Sequence, residues 1–379
     1  MKRIVLVSLV FGLMVSSSFG ITLPTGVGAK YGSMAGAGAS IVDDITCAYY
    51  NPAGIVKTGN VELKLGAGAA SEGMNDIIAT FGNAPSPEKF LADNYTKIVN
   101  INGGLNALVG VNFAKIGLSV IPVASLTFDK PTENTFTGSS IIAMGAYEGL
   151  LTLGYSFGIP ALPIASLDVG ANIKSSNTVM AVVVGTGATT AAHAVANLSG
   201  IGYDLGATAS INTGLMPINV AVVLRDIGTA LKGKIKTENS TYDPIAGTTT
   251  TVLVSDVDAG DTTIAPATVI GVSTVIPGVG VKVAVDLDTI GESKINGVTI
   301  QGGNLTHIGV EYPILGIIAL RAGQVSGKMS KLGSLTATDV QQTTFGAGFN
   351  LGAVINVAMM TDNNNSKNNS TIVDFGFAF

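Results

Sequence analysis

The chain has 379 residues, of which 12% are charged, about half the roughly 25% of an average soluble protein, and its mean hydropathy is +0.49. A net charge of −5 and a pI near 5.0 exclude the basic face that a nucleic-acid partner requires, and a single cysteine, Cys47, excludes an intramolecular disulfide. With 49 glycines and no tryptophan, the composition is not that of an ordinary packed domain.

Lys2 and Arg3 form a positive n-region, Ile4 to Val15 an apolar h-region too short to span a bilayer, and Ser18-Phe19-Gly20 a small-residue cleavage site. Residues 1–20 are therefore predicted as a signal peptide, cut after Gly20. No cysteine at the junction offers a lipoprotein anchor. The following segment, 21–60, contains "GAKYGSMAGAGASIVDDITCAYYNPAGIV" (28–56), dense in small residues, adjacent acids and tyrosines. Asp43 or Asp44 is placed to cap a short helix running through Cys47 and Tyr50. Pro52 drives Asn51 out of helical geometry and ends that helix, and Gly54, after Ala53, permits a reversed backbone. Cys47 reads as a small buried hydrophobe.

From Val61 onward the pattern is simple alternation. Val61, Leu63 and Leu65 oppose Glu62, Lys64 and Gly66. In the hairpin over 105–128, Leu105, Ala107, Val109, Val111 and Phe113 share a face that Leu118, Val120, Ala124, Leu126 and Phe128 continue. Further hairpins fall at 143–175, 203–227, 267–289, 306–323 and 343–361, with a last strand at 371–379. That makes about fourteen strands, each near the roughly 9–11 residues that cross a bilayer when tilted. Short turns, such as 213–217, 277–280 and Gly352-Ala353, alternate with longer polar stretches at 130–142, 176–202, 228–266, 290–304, 324–342 and 362–370. That inequality belongs to an outer-membrane barrel. The fold class is thus all-β, a transmembrane barrel over 61–379, with Tyr155, Phe157 and Phe349 as a thin aromatic girdle. Glu62, Lys64, Asn112, Asp168, Asn172, Lys174, Asp204, Arg225, Asp286 and Glu311 face the lumen in this register.

Three patterns suggest chemistry and lack its context. "GYSFG" (154–158) matches a nucleophile elbow, but Ser156 lies near a strand end, whereas an elbow joins strand to helix. His193 and His307 have no triad acid; His307 reads as a polar lumen residue. "DVDAGD" (256–261) lacks the glutamate that closes a calcium loop. No catalytic residue, metal ligand or cofactor site is predicted. The stretch 176–202 leaves two readings open. Met180, Val182 and Val184 form an apolar patch for ligand entry on a surface loop, or strand five simply continues above the membrane through Val184 and the Ala-rich stretch Ala188 to Leu198 is a helical turn packed on the rim.

In this setting the Gly/Ala-rich stretch Gly36 to Gly38, the acids Asp43-Asp44 and the motif Asn51-Pro52-Ala53-Gly54 resemble the N-terminal region of the FadL-type superfamily of outer-membrane barrels. "VAVVLRDIG" (220–228) resembles a strand end of the related PorV and conjugal-transfer TraF-like barrels, and Val373, Phe375, Phe377 and the terminal Phe379 resemble the signal read by barrel-assembly machinery. The resemblance implies a bacterial outer-membrane protein with outer-membrane lipid around it, monomeric and not an enzyme, whose segment 21–60 is a helical hatch inside the barrel. It implies transport of hydrophobic small molecules such as long-chain fatty acids; PorV-like relatives instead hold exported proteins for a secretion system.

Overall fold

A computed structural model describes residues 26–59, 61–70, 101–129, 140–158, 165–187, 190–243, 246, 248–330, 336–364 and 369–378. The predicted signal peptide and Phe379 lie outside the described residues. Two one-turn helices, α1 (Ala29–Gly32) and α2 (Cys47–Tyr50), and a 3-10 helix (Pro52–Lys57) precede the first strand. The strands are β1 (Val61–Ala70), β2 (Ile101–Phe113), β3 (Ile116–Asp129), β4 (Ser140–Gly158), β5 (Ala165–Gly187), β6 (Thr190–Asn212), β7 (Pro217–Asp243) and β8 (Thr248–Asp258). Then follow β9 (Ala267–Val275), β10 (Lys282–Ile290), the short pair β11 (Ser293–Ile295) and β12 (Val298–Ile300), and β13 (Gly303–Ile314). The chain closes with β14 (Ile318–Ser330), β15 (Ala337–Asn350), β16 (Val354–Asp362) and β17 (Ser370–Ala378).

Among the described residues, fourteen of these strands form one antiparallel ring, which β1 closes by pairing with both β2 and β17. β8 pairs with the outer end of β7, and β11 pairs with β12, so neither counts in the ring. The register sorts chemistry by side. One cross-strand row runs Phe377, Leu63, Val111, Leu118, Leu151, Ile173, Tyr203, and it is largely exposed on the outer wall. The adjacent row, Glu62, Asn112, Gly117, Thr152, Asn172, Asp204, points inward, and its polar members are buried. A period of two thus places lipid-facing and lumen-facing residues on alternate positions.

The segment 176–202 is not a loop: β5 continues through Val184 to Gly187, as the second reading has it, and the described part of the Ala-rich stretch is strand β6 from Thr190 rather than a helical turn. Likewise β7 extends to Asp243, β14 to Ser330, and β15 begins at Ala337. The reason is an inversion of polarity along the strands. Near the short turns β7 turns Val220, Val222 and Leu224 outward; beyond the irregular pairing around Asp226, where φ is +58°, it exposes Lys232, Lys234 and Lys236 and buries Leu231 and Ile235. Once a strand projects past the bilayer its outer face meets water. Polar residues spaced by two then remain strand, and they resemble a loop only if apolar-out is assumed throughout.

Candidate functional site in the lumen

Residues 26–59 sit inside the ring, and side chains from strands around its circumference hold them. α1 has no cap of its own. Its first N–H, that of Ala29, donates to Asp374 Oδ2 of β17 at 2.7 Å, and Asn356 Nδ2 donates to the other oxygen of that carboxylate at 2.6 Å. On the facing wall, Asp286 of β10 accepts from the N–H groups of Gly38 and Ala39, both at 2.8 Å. His307 Nδ1 lies 2.7 Å from the Ala35 carbonyl, and Thr344 Oγ1 donates to the Ser33 carbonyl at 2.9 Å. An irregular backbone inside a barrel must have its polar groups satisfied, and the wall supplies the partners.

The predicted motif lies at the centre of this contact. Asn51 is extended, with φ −165° and ψ 111°, as the following proline requires. Its Oδ1 accepts from the Ala53 N–H at 3.0 Å and so caps the 3-10 helix. Its Nδ2 donates to the Ala39 carbonyl at 2.7 Å and to Thr208 Oγ1 of β6 at 2.9 Å. Gly170 and Gly206, paired across β5 and β6, leave the dent that receives this turn. A Cβ on Gly206 would stand 2.0 Å from Asn51 Oδ1, and one on Gly170 would stand 2.3 Å from the Pro52 carbonyl.

Sequence reasoning missed that dent, although its signal was present. Asp168-Val169-Gly170-Ala171-Asn172 and Asp204-Leu205-Gly206-Ala207-Thr208 are the same Asp-x-Gly-Ala pattern on adjacent strands. Asn172 Nδ2 donates to the Ala48 carbonyl at 2.7 Å and to Asp204 Oδ2 at 2.9 Å, and Lys57 reaches Asp168 at 3.5 Å. The inward list from the sequence holds: Glu62, Lys64, Asn112, Asp168, Asn172, Lys174, Asp204, Asp286 and Glu311 are buried. Arg225 lies 4.9 Å over the ring of Tyr49, so the "VAVVLRDIG" segment also touches the hatch. Beside it Asp226 is 2.6 Å from Lys174, which is 3.0 Å from Asp204.

Two local expectations are corrected. The α2 N-cap is Thr46, without a side-chain cap bond. Asp44 acts one step earlier, its Oδ1 accepting from the Thr46 N–H at 3.0 Å, and Asp43 caps nothing there. Gly54 does not reverse the backbone. It lies within the 3-10 helix, and a Cβ there would stand 2.5 Å from Val42 Cγ1 and 2.9 Å from Cys47 Cβ, so close packing demands the glycine.

The paired acids anchor the hatch by charge. Asp43 contacts Lys30 and accepts from the Tyr31 hydroxyl at 2.8 Å; Asp44 lies 2.6 Å from Lys64 of β1. Burial works against these carboxylates, but Lys30 holds Asp43, and Lys64 with Lys30 holds Asp44, below the usual carboxylate range. A cavity of about 180 Å³ lies beneath them, lined by Lys30, Asp43, Asp44, Glu62, Lys64 and Asp374 among others. At the opposite end, Met180, Val182 and Val184 are buried. They form one apolar cluster with Ala192, Ala194, Ala196, Leu198, Leu231 and Ile235, joined by Ala259, Ile264, Ile295 and Ile300 from the segments beyond β8 and β10.

Ser156 donates to Asp168 from within β4 rather than from a strand-to-helix turn. His307 is a buried lumen residue, 3.6 Å from Asp288.

A ring of apolar-out strands with an ordered segment filling its lumen defines a plugged transmembrane β-barrel. More narrowly, the chain folds as a FadL-type outer-membrane barrel. The crystal structure of the P. putida toluene transporter TodX aligns with a TM-score of 0.61 at 10% identity, covering 94% of this chain and 99% of that one. The CymD monoaromatic hydrocarbon channel aligns with 0.61 at 13%, covering 94% and 98%. A Pseudomonas aeruginosa FadL homologue aligns with 0.54 at 13%, covering 93% and 97%. No protein-family model and no curated protein matches the sequence.

Proposed function

We propose that the protein is an outer-membrane channel for hydrophobic small molecules, with segment 21–60 as its gate. The carrying observation is the change of polarity inside the barrel. Beyond the hatch the inward side chains of β5 are Met180, Val182 and Val184, whereas at the hatch they are Asp168, Asn172 and Lys174. A water-filled pore keeps a polar lumen along its length; an apolar compartment lets an apolar solute leave water before the gate. In this reading Met180, Val182 and Val184 meet the ligand inside the barrel, after it has passed the rim.

The fold shared with the TodX and CymD channels supports the reading. Long-chain fatty acids are one candidate class. Among the described residues, Lys174 at the base of the apolar cluster is already paired with Asp204 and Asp226, which favours neutral hydrophobes over carboxylates. No catalytic role enters this reading.

The test is tracer uptake into vesicles carrying the purified barrel, with toluene and a long-chain fatty acid compared. Changing Met180, Val182 and Val184 together to Ser should slow uptake while heat-modifiable gel mobility stays normal. Uptake no faster than in empty vesicles, with an exported protein copurifying stoichiometrically, would replace transport by the PorV-like reading.

A further inference from the structure

The short-turn end of the barrel holds an apolar surface that gating does not use. Four consecutive hairpins around the ring, β6–β7, β9–β10, β13–β14 and β15–β16, turn through 213–216, 276–281, 315–317 and 351–353. Their tips present Leu215, Val279, Leu315 and Leu351, which are 82%, 54%, 91% and 76% exposed. No residue in the four turns is charged. Turns in water favour Asn, Asp, Ser and Gly, which supply the geometry and solvate it.

The turn at Leu315 is the most telling. Ile317 donates back to the Ile314 carbonyl at 3.1 Å, and the two residues between have φ +52° at Leu315 and +71° at Gly316. Both central positions need positive φ, where Asn-Gly is the usual choice and a bulky residue is an outlier. Here a leucine holds the left-handed conformation and also points its side chain out of the protein. The chain thus departs from turn preference and from solvation at one residue, which a solvent-facing turn gives no reason to do.

These tips continue the outer wall. Val220 and Val222 on β7, Ile270 and Val272 on β9, and Leu320 on β14 are exposed apolar residues on the same strands. The lipid-facing surface runs off the strands into the turns with no charged side chain on that face, interrupted only by uncharged polar residues such as Thr213, Thr274 and Asn350. At the other end of the ring the outer face of β7 carries Lys232, Lys234 and Lys236.

We infer that this arc of turns is a membrane-docking surface: the tips at Leu215, Val279, Leu315 and Leu351 insert into the phospholipid leaflet on the periplasmic side. The barrel is then anchored along this arc by leucine and valine side chains at the tips together with the exposed aromatics Tyr312 and Phe349 on the same strands. Continuity with the lipid-facing wall is what selects lipid over a protein partner or a second copy of the chain.

The absence of tryptophan from the sequence makes the test direct. Leu215→Trp, Leu315→Trp and Leu351→Trp would each carry a single reporter, with Thr251→Trp, on the exposed β8 hairpin, as the water-facing reference. Each variant is reconstituted in phosphatidylcholine vesicles, with and without brominated acyl chains, after a heat-modifiability gel confirms a folded barrel. The three turn reporters should emit blue-shifted of the reference, lose most of their emission to brominated lipid, and resist iodide. Emission like the reference, quenched by iodide and untouched by brominated lipid, would overturn the inference. So would a blue-shifted emission that neither quencher reaches, which would mean protein covers the turns. If one reporter fails to fold, the other two decide the outcome.

Discussion

Replacing Asn51 by Ala removes three hydrogen bonds that tie the hatch to itself and to the wall: from the Ala53 N–H, to the Ala39 carbonyl and to Thr208 Oγ1. All three partners are buried. A buried polar group left without a partner costs about 1–3 kcal/mol, and loss of a helix cap about 1 kcal/mol. Water entering beside the hatch recovers part of this, so the docked hatch should lose about 2–4 kcal/mol relative to its released state. At 1.4 kcal/mol per tenfold, the released population rises roughly 30- to 700-fold. The ring strands make none of these bonds among themselves, so barrel yield and heat-modifiable mobility should not change. Single-channel recording in planar bilayers should then show longer and more frequent openings. The Asn51→Ala, Pro52→Ala double variant should open further. A folded Asn51→Ala barrel that conducts like wild type would refute the claim that this asparagine holds the gate.

Gly206→Ala and Gly170→Ala would push a methyl group into the Asn51-Pro52 turn; overpacking of this kind costs about 1–3 kcal/mol. Channel opening should rise, while Gly149→Ala, with open space at its Cβ, should be silent in the same recordings. Because the folded values of Asp43 and Asp44 are lowered, their contribution to closure is present above the ordinary carboxylate value and is lost only as pH falls through the lowered ones. The difference in closed-state dwell time between wild type and Asp43→Asn should therefore stay flat from neutral pH to about 5, the upper edge of ordinary carboxylate titration, and shrink in stronger acid. Deleting Phe379 should reduce outer-membrane insertion while Phe379→Tyr is tolerated; equal membrane levels of the deletion and wild type would dismiss the terminal aromatic as an assembly signal.

The barrel was legible in the sequence because its cause is local. A strand between lipid and lumen must alternate every second residue, so Leu63, Val111 and Leu118 announced the outer wall, and Glu62, Asn112 and Asp204 the inner one. Asn51-Pro52 was legible for the same reason, since proline restricts the residue before it wherever the chain goes. The extension of β5 stayed one of two readings and those of β6 and β7 were not legible, because where lipid ends and water begins belongs to the folded object. The same alternation reverses its meaning across that boundary, and Met180, Val182 and Val184 look like a loop patch until it is located. The hatch contacts were hidden by distance along the chain. Asp374 and Asp286 meet Ala29 and Gly38 only after the ring has closed, and Gly170 and Gly206 form one dent only when β5 and β6 pair in register. Composition and period decide the wall; which wall residues hold the plug depends on closure, and closure brings together residues hundreds of positions apart.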